Sequence, residues 1–503
     1  MSPPAEDVFK ADVVVIGTGA GGAPVAATLA EAGLEVIALE AGPRLSTADF
    51  TGHEREMIPR LMKAQVSAVS GMEIYAGACV GGSTVINDCL CWRTPPEVLE
   101  SWRIDYGLSG LRESEFGEYV DRVWYDIHAE ATRRSHLNRN AHHLEVGAAR
   151  LGWAAEAMPR NVRSCANLGL CNLGCPTGAK QSTLLTYLPR AERAGARLLA
   201  QTRAEQIEVR DGAVRAVEAT RLAADAPDRP LRVRIETPRV CLAAGVLGTA
   251  AVLLRSGLGH AGLSPGQRLQ FHSSVSVSAR FPEPVHAYYG PSMAYAVTEF
   301  SDVNGHTGPG FMLENVSTLP VATSSSLPGF GEAHERAMRS LPYLARAIVV
   351  LRDTSRGMLC IDDRGDTRID YALDGHDLLR LRQGIVALAR AYFAAGAEEV
   401  FLPLNGLAPL GSPKALRRVD DLVPELRGLS LLYAVHLFGG AVMGGRAADS
   451  CCDESGRVRG TRGLYVSDAA ALPSNIGVNP QVTIMANALR VAERITLGDR
   501  GSA

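Results

Sequence analysis

Three stretches of the 503-residue chain carry residue types at spacings that could do chemistry. Gly17-Thr18-Gly19-Ala20-Gly21-Gly22 is a G-x-G-x-x-G run between an apolar β-branched segment and a helical one. Glycines there let the backbone N–H groups at a helix start approach a pyrophosphate with no Cβ in the way. Glu40 ends the next apolar segment, 18 positions beyond Gly22, where a carboxylate accepts ribose hydroxyls and repels a 2′-phosphate. Gly17, Gly19, Ala20, Gly22 and Glu40 are therefore expected to bind a dinucleotide, and these residues leave FAD and NAD both open. Cys165, Cys171 and Cys175 follow one another at spacings of six and four, with Pro176 next. Three thiolates on one loop match a three-ligand iron–sulfur cluster. A plain thiol loop stays open, as does zinc, which would need a fourth ligand that is not close in sequence. Asn479 can cap a helix whose first residue is Pro480, continued by the stripe Val482, Ile484, Met485, Ala488, Leu489 and Ala492, and the positive end of such a helix suits an anion.

The elements that must position these residues begin with a βαβ pattern: a strand from Asp12 to Ile16, a helix from about Ala20 to Ala32, and a strand from Glu35 to Leu39. Residues from about Ala196 to Ala244 read as strands, with a hairpin at Asp211-Gly212 and a polar loop around Ala223 to Pro230. From Ser301 to Leu327 the chain turns Gly/Ser/Pro-rich. Met358 to Asp362 then pairs with Arg368 to Ala372 across a tight turn, and His376 to Ala395 forms a helix with a stripe of Leu378, Leu379, Leu381, Ile385, Leu388, Ala389 and Tyr392.

The length implies two or three domains, interleaved in sequence. A net charge of −3 gives no electrostatic reason to expect a nucleic acid. No run of about 18 apolar residues suggests a membrane span, and the N-terminal MSPPAEDVFK has no apolar core of a signal, so the expectation is a cytoplasmic protein. Ten cysteines in a chain this long do not make a disulfide framework.

Four further segments, with the start, resemble the glucose-methanol-choline (GMC) oxidoreductase family along the whole chain, nearest to sterol and long-chain alcohol oxidases. Cys79 to Asn87 resembles the glycine-serine segment that runs along the FAD pyrophosphate, which implies roles for Gly81, Gly82 and Ser83 and brings Asn87 towards the isoalloxazine. Leu242 to Thr249, continuing to Gly257, is similar to the strand and helix beside the flavin and includes Ala244. Arg197 to Glu208 resembles the strand whose backbone meets the adenine, at Ala204. The C-terminal part carries His436 before Gly439-Gly440, then Asp468, then Asn479-Pro480. The resemblance implies an α/β fold: a Rossmann-type FAD-binding domain (1–103, 155–285 and 428–503) with an interleaved α+β substrate domain (104–154 and 286–427).

What it implies for activity is hydride transfer from the CH–OH group of a small-molecule alcohol to flavin N5, with His436 as general base and Asn479 orienting the substrate oxygen. Asp468 would hold the ribityl or pyrophosphate region, and the helix starting at Pro480 would stabilise the reduced ring. Relatives with a histidyl-linked flavin carry the linking histidine where this chain has Ile86, so the FAD is expected to be non-covalent. Position 88 is aspartate where glycine is common, and Asn479 stands where many relatives have a second histidine. Electrons would pass to oxygen or to a redox protein, the latter through a 3Fe-4S cluster if the cysteine loop holds one. A lyase that keeps FAD only as structure is the non-redox alternative. The segment from His286 to Phe300 (Tyr288, Tyr289, Met293, Tyr295) and the following Phe311-Met312-Leu313-Glu314 favour a partly apolar alcohol.

Overall fold

The computed structural model describes residues 6–223, 226–303, 307–417 and 428–500. Five short strands form a parallel sheet in the order Leu464–Val466, Val240–Leu242, Val13–Ile16, Val36–Leu39, Arg197–Leu199. The three middle strands are aliphatic but for Cys241 and every residue in them is buried, as a sheet covered on both faces demands. The helix Ala23–Glu31 follows the first strand and packs against the helices Tyr187–Arg193 and Gln481–Arg500. It starts three residues later than the sequence suggested. Gly17 sits at φ +99°, and a Cβ on Gly22 would lie 1.9 Å from the Gly17 carbonyl oxygen, so residues 17–22 form a tight loop before the helix.

Beside this sheet lies a four-stranded one: Glu6–Lys10, Ala226–Glu236, Ala213–Ala223, Thr202–Arg210. The hairpin at Asp211-Gly212 is present, with both residues at positive φ as a type I′ turn requires. Two expectations change here. Arg197 to Glu208 is two strands in two sheets, broken at Gln201 with φ +52°. The supposed loop from Ala223 to Pro230 is largely strand from Ala226 onward, and residues 224–225 lie outside the described residues.

The largest sheet joins distant parts of the chain in the order Met62–Val66, Glu73–Gly77, Tyr433–Phe438, Gln270–Arg280, Leu344–Leu351, Phe311–Asn315, Tyr295–Val297, Ala155–Ala157, with Glu399–Phe401 added to Gln270–Arg280. Its central strand reads Gln-Phe-His-Ser-Ser-Val-Ser-Val-Ser-Ala-Arg. Phe271, Val275, Val277 and Ala279 alternate with His272, Ser274, Ser276 and Ser278, so two unlike faces are built by period two. Val275, Val277 and Ala279 join a core with Leu381, Ile385, Leu388 and Tyr392 of the helix Gly375–Ala395. That helix matches its expected span and is capped by Asp374, though Leu379 of the stripe stays exposed. The hairpin Met358–Ile361 with Thr367–Asp370 also forms.

Candidate active site

The two glycine loops meet. Thr18 donates through its hydroxyl to Glu40 Oε2 at 2.7 Å and accepts from the Gly81 N–H at 3.0 Å, tying the first loop to Gly81-Gly82-Ser83. Gly19 faces Gly82 so closely that a Cβ on Gly82 would stand 3.0 Å from the Gly19 Cα. Glu40 also accepts from the N–H groups of Thr18 and Gly42. Asp468 is buried and accepts from the Thr249 hydroxyl at 2.7 Å and the Ala470 N–H at 2.9 Å; burial pushes its pKa up to about 6. It lies against Gly21, where a Cβ would be 2.5 Å from the Asp468 Cβ. Ala244 precedes the helix Gly245–Arg255, beside the Ala243 carbonyl that approaches Gly17. Ala204 is buried in the four-stranded sheet, and its strand neighbour Thr202 donates to the Glu40 carbonyl. This cradle, closed by glycines and keeping a carboxylate acceptor, fits a dinucleotide.

Asn87 reaches the other end of the cradle. Its amide donates to Gln481 Oε1 at 2.9 Å, at the start of the long C-terminal helix. Lys180, buried, places its three donors on the carbonyls of Val85, Asn87 and Cys171 and so fixes this turn. The helix begins at Gln481 after Pro480, and Ile484 donates to the Pro480 carbonyl. Asn479 therefore does not cap it as expected. Its Nδ2 lies 3.4 Å from Glu314 Oε2, and its Oδ1 is buried without a partner.

Around Asn479 the large sheet brings together what the sequence keeps apart. Glu314 comes from Phe311–Asn315, His272 from Gln270–Arg280 and His436 from Tyr433–Phe438. In the register, Phe271 pairs with Leu437 and Ser273 with Ala434, so Val435 and His436 oppose His272 alone. This β-bulge turns His436 onto His272, Nδ1 to Nδ1 at 3.1 Å. The Gly477 N–H donates to His272 Nε2 at 3.1 Å, which links the imidazole pair to the Gly477-Val478-Asn479 loop. Burial pulls the His436 pKa down to about 4 and the His272 pKa well below its usual range. Glu314, with no exposure at all, is pushed by burial up to about 7.

Two polar atoms here are buried without partners, Asn479 Oδ1 and Glu314 Oε1, while Asp88 and the Ser292 hydroxyl lie against each other. Asp88 takes a hydrogen bond from Asn172 at 2.9 Å, and its charge is felt at Glu314. Each unpartnered buried group costs about 1–3 kcal/mol, so a pair of them marks a place built for a polar ligand. The sequence singled out His436 and Asn479 but not His272 or Glu314 as site residues. The available signals were the His-x-Ser-x-Ser-x-Ser alternation and one glutamate inside an apolar strand.

The cysteine loop does not gather metal ligands. Cys171 faces the Cys89 thiol, which donates to it, and the Arg160 guanidinium 3.5 Å away. That hydrogen bond, helped by Arg160 and Lys180, holds the Cys171 thiol well below its ordinary pKa. Cys175 contacts the Thr177 hydroxyl instead. Among the described residues no three His, Cys, Asp or Glu side chains converge as metal ligands. The expectation of an iron–sulfur cluster on Cys165, Cys171 and Cys175, and the zinc alternative, are corrected accordingly: two cations and a paired thiol occupy the surroundings of Cys171. Among the described residues no helix is long and apolar enough to cross a membrane.

A Rossmann-type parallel sheet with two facing glycine loops, joined to a large second sheet that carries a histidine pair and a buried carboxyl, defines an enzyme of the dinucleotide-dependent oxidoreductase class. The chain belongs to the GMC oxidoreductase family: its N-terminal model matches residues 14–274 and its C-terminal model residues 353–488. GMC oxidoreductases are FAD enzymes. An uncharacterized GMC-type oxidoreductase of Mycobacterium tuberculosis is 34% identical over 98% of this chain and 77% of its own length. A long-chain-alcohol oxidase of Arabidopsis thaliana is 28% identical, over 97% of this chain and 67% of its own length. Among solved structures, pyridoxine 4-oxidase from Mesorbium loti has the same fold, with a TM-score of 0.73 at 17% identity over 96% of this chain and 98% of that one.

Proposed function

We propose that this chain binds FAD non-covalently and oxidises the CH–OH group of a partly apolar alcohol. Gly17, Gly19, Ala20, Gly22, Glu40, Gly81, Gly82, Ser83, Asn87, Ala204, Ala244, Asp468 and Pro480 would hold the cofactor, in the FAD-binding part of an interleaved two-domain chain. The absence of a histidine at Ile86 supports the non-covalent reading. Bound FAD would supply the two-electron acceptor for the hydride.

The observation that carries this reading is the buried, unpartnered pair of Asn479 Oδ1 and Glu314 Oε1, with Asn479 two residues along the chain from the Gly477 N–H that donates to His272. Oxidation of an alcohol requires a group that orients the hydroxyl and one that takes its proton. Asn479 and His436 would orient the oxygen. The base favoured from the sequence was His436, but an imidazole with a pKa of about 4 is a weak acceptor at neutral pH. A carboxyl near 7 is matched to the task, which favours Glu314 as the proton acceptor. Buried Met312, with Val350 and Ile348 paired opposite Met312 and Glu314, lies on the Glu314 face of the large sheet and supports a partly apolar substrate.

The test is anaerobic mixing of FAD-loaded protein with a panel of alcohols, from short polar to long-chain and sterol alcohols. Bleaching of the ~450 nm flavin band by one apolar class is the expected result. No bleaching by any alcohol, with turnover of a substrate that leaves the flavin oxidised, would move the protein to the non-redox alternative. Turnover with oxygen against artificial acceptors then separates an oxidase from a dehydrogenase.

A further inference from the structure

The geometry points to His272 as a positioning residue that fixes which ring nitrogen of His436 carries the proton, making His436 a hydrogen-bond donor to the substrate. The inference rests on the proposed reading of His436 as a substrate-facing group. Three contacts carry it. The Gly477 backbone N–H donates to His272 Nε2 at 3.1 Å, so that nitrogen must offer a lone pair. A neutral imidazole with a bare Nε2 carries its proton on Nδ1. His272 Nδ1 stands 3.1 Å from His436 Nδ1, and its proton therefore goes to His436, whose Nδ1 becomes the acceptor. His436 is left with its proton on Nε2, the nitrogen remote from His272. The opposite order would turn His272 Nε2–H against the Gly477 N–H, two donors facing each other at hydrogen-bond distance.

Protonating His272 on both nitrogens fails for the same reason, and its surroundings agree. His272 is fully buried, with the Phe438 ring 5.0 Å away and Arg352 as the cation that faces it. Arg352 is itself paired with Asp302 at 3.3 Å. Asp353, the residue after Arg352, spends its carboxylate on the Ser273 N–H, the Ser273 hydroxyl and the Tyr371 hydroxyl. None of these contacts offers His272 Nε2 an acceptor. The bulge is what makes the lock possible, because it sets the two residues Val435 and His436 opposite His272.

Ring-¹⁵N-labelled histidine in the FAD-loaded protein distinguishes protonated from bare ring nitrogens directly. The expected spectrum shows His436 with Nε2–H and bare Nδ1, unchanged between about pH 5 and 9. A bare Nε2 on His436 in the wild-type holoenzyme would overturn the proposal. In His272→Leu the lock is gone: His436 should show mixed tautomers, and flavin reduction by alcohol should slow by about 10²-fold, the loss typical of a misplaced donor. His272→Asn keeps an N–H two bonds beyond Cβ, where Nδ1 was, and should restore the single tautomer with a rate within about threefold of wild type, since the donor to His436 is retained. Equal rates and one unchanged tautomer in His272→Leu would also overturn the proposal. If no alcohol reduces the wild-type flavin, the proposed function fails while the nitrogen spectrum still decides the tautomer.

Discussion

Glu314 shows what the site costs the protein. Its carboxyl is fully buried, one oxygen is unpartnered, and the other has a single long contact with Asn479. Because burial raises its pKa from 4.5 to about 7, the charged form is penalised in the folded state. The sign follows from linkage. Below pH 4.5 Glu314 is protonated in folded and unfolded chains alike and costs nothing; between pH 4.5 and about 7 the unfolded chain ionises while the folded one stays protonated, so the penalty builds across that window and levels off above it. Glu314→Gln should therefore leave the melting temperature at pH 4 unchanged and stabilise the protein by about 1–3 kcal/mol at pH 8. Thermal unfolding at the two pH values checks this, and equal effects at both would remove the buried charge from the account. His436 and His272, with lowered pKa values, act in the other direction. The stability they allow is present above the unfolded value of 6.5 and is lost as pH falls towards about 4 for His436.

At the scale of elements, the βαβ start, the Asp211-Gly212 hairpin and the Gly375–Ala395 helix were legible because one local pattern dictates each of them. The strand Gln270–Arg280 was passed over, although its alternation of serines with Phe271, Val275, Val277 and Ala279 is a period-two pattern; its meaning depended on partners as far away as Tyr433–Phe438 and Leu344–Leu351. The bulge that brings His436 onto His272 has no local sequence mark at all, since register is a property of two strands. Gly21 illustrates a close approach of the legible kind. A Cβ there would lie 2.5 Å from the Asp468 Cβ and 2.6 Å from its Cα, atoms that cannot move without shifting the loop. Gly21→Ala should lower flavin retention and cost about 1–3 kcal/mol of stability. Gly117→Ala, inside the helix Glu113–Asp126 with nothing within 4 Å, should instead stabilise by about 0.5–1 kcal/mol. Flavin content per chain and melting temperature of the two variants separate the cases; equal losses would mean the Gly21 contact with Asp468 is not what matters.

Over the whole molecule, the nucleotide end of the site is written in glycines and was readable from the chain, whereas the substrate end is assembled by a sheet whose strands come from residues 62 to 438. Sequence spacing therefore offered His436 and Asn479 through their family setting, whereas Glu314 was marked only by being a glutamate inside an apolar strand, and its importance lies in burial and in one unpartnered oxygen. The cysteine loop is the converse case: a suggestive spacing that folding spends on a thiol pair and two buried cations. The central claim is that the proton of the substrate hydroxyl passes to Glu314 while His436 donates to the oxygen. It is tested most directly by the pH dependence of anaerobic flavin reduction in wild type and Glu314→Gln. The account predicts a wild-type rate that rises with pH through about 7, and a Glu314→Gln rate slower by at least ~10²-fold with that limb gone. A limb that persists unchanged in Glu314→Gln would contradict it.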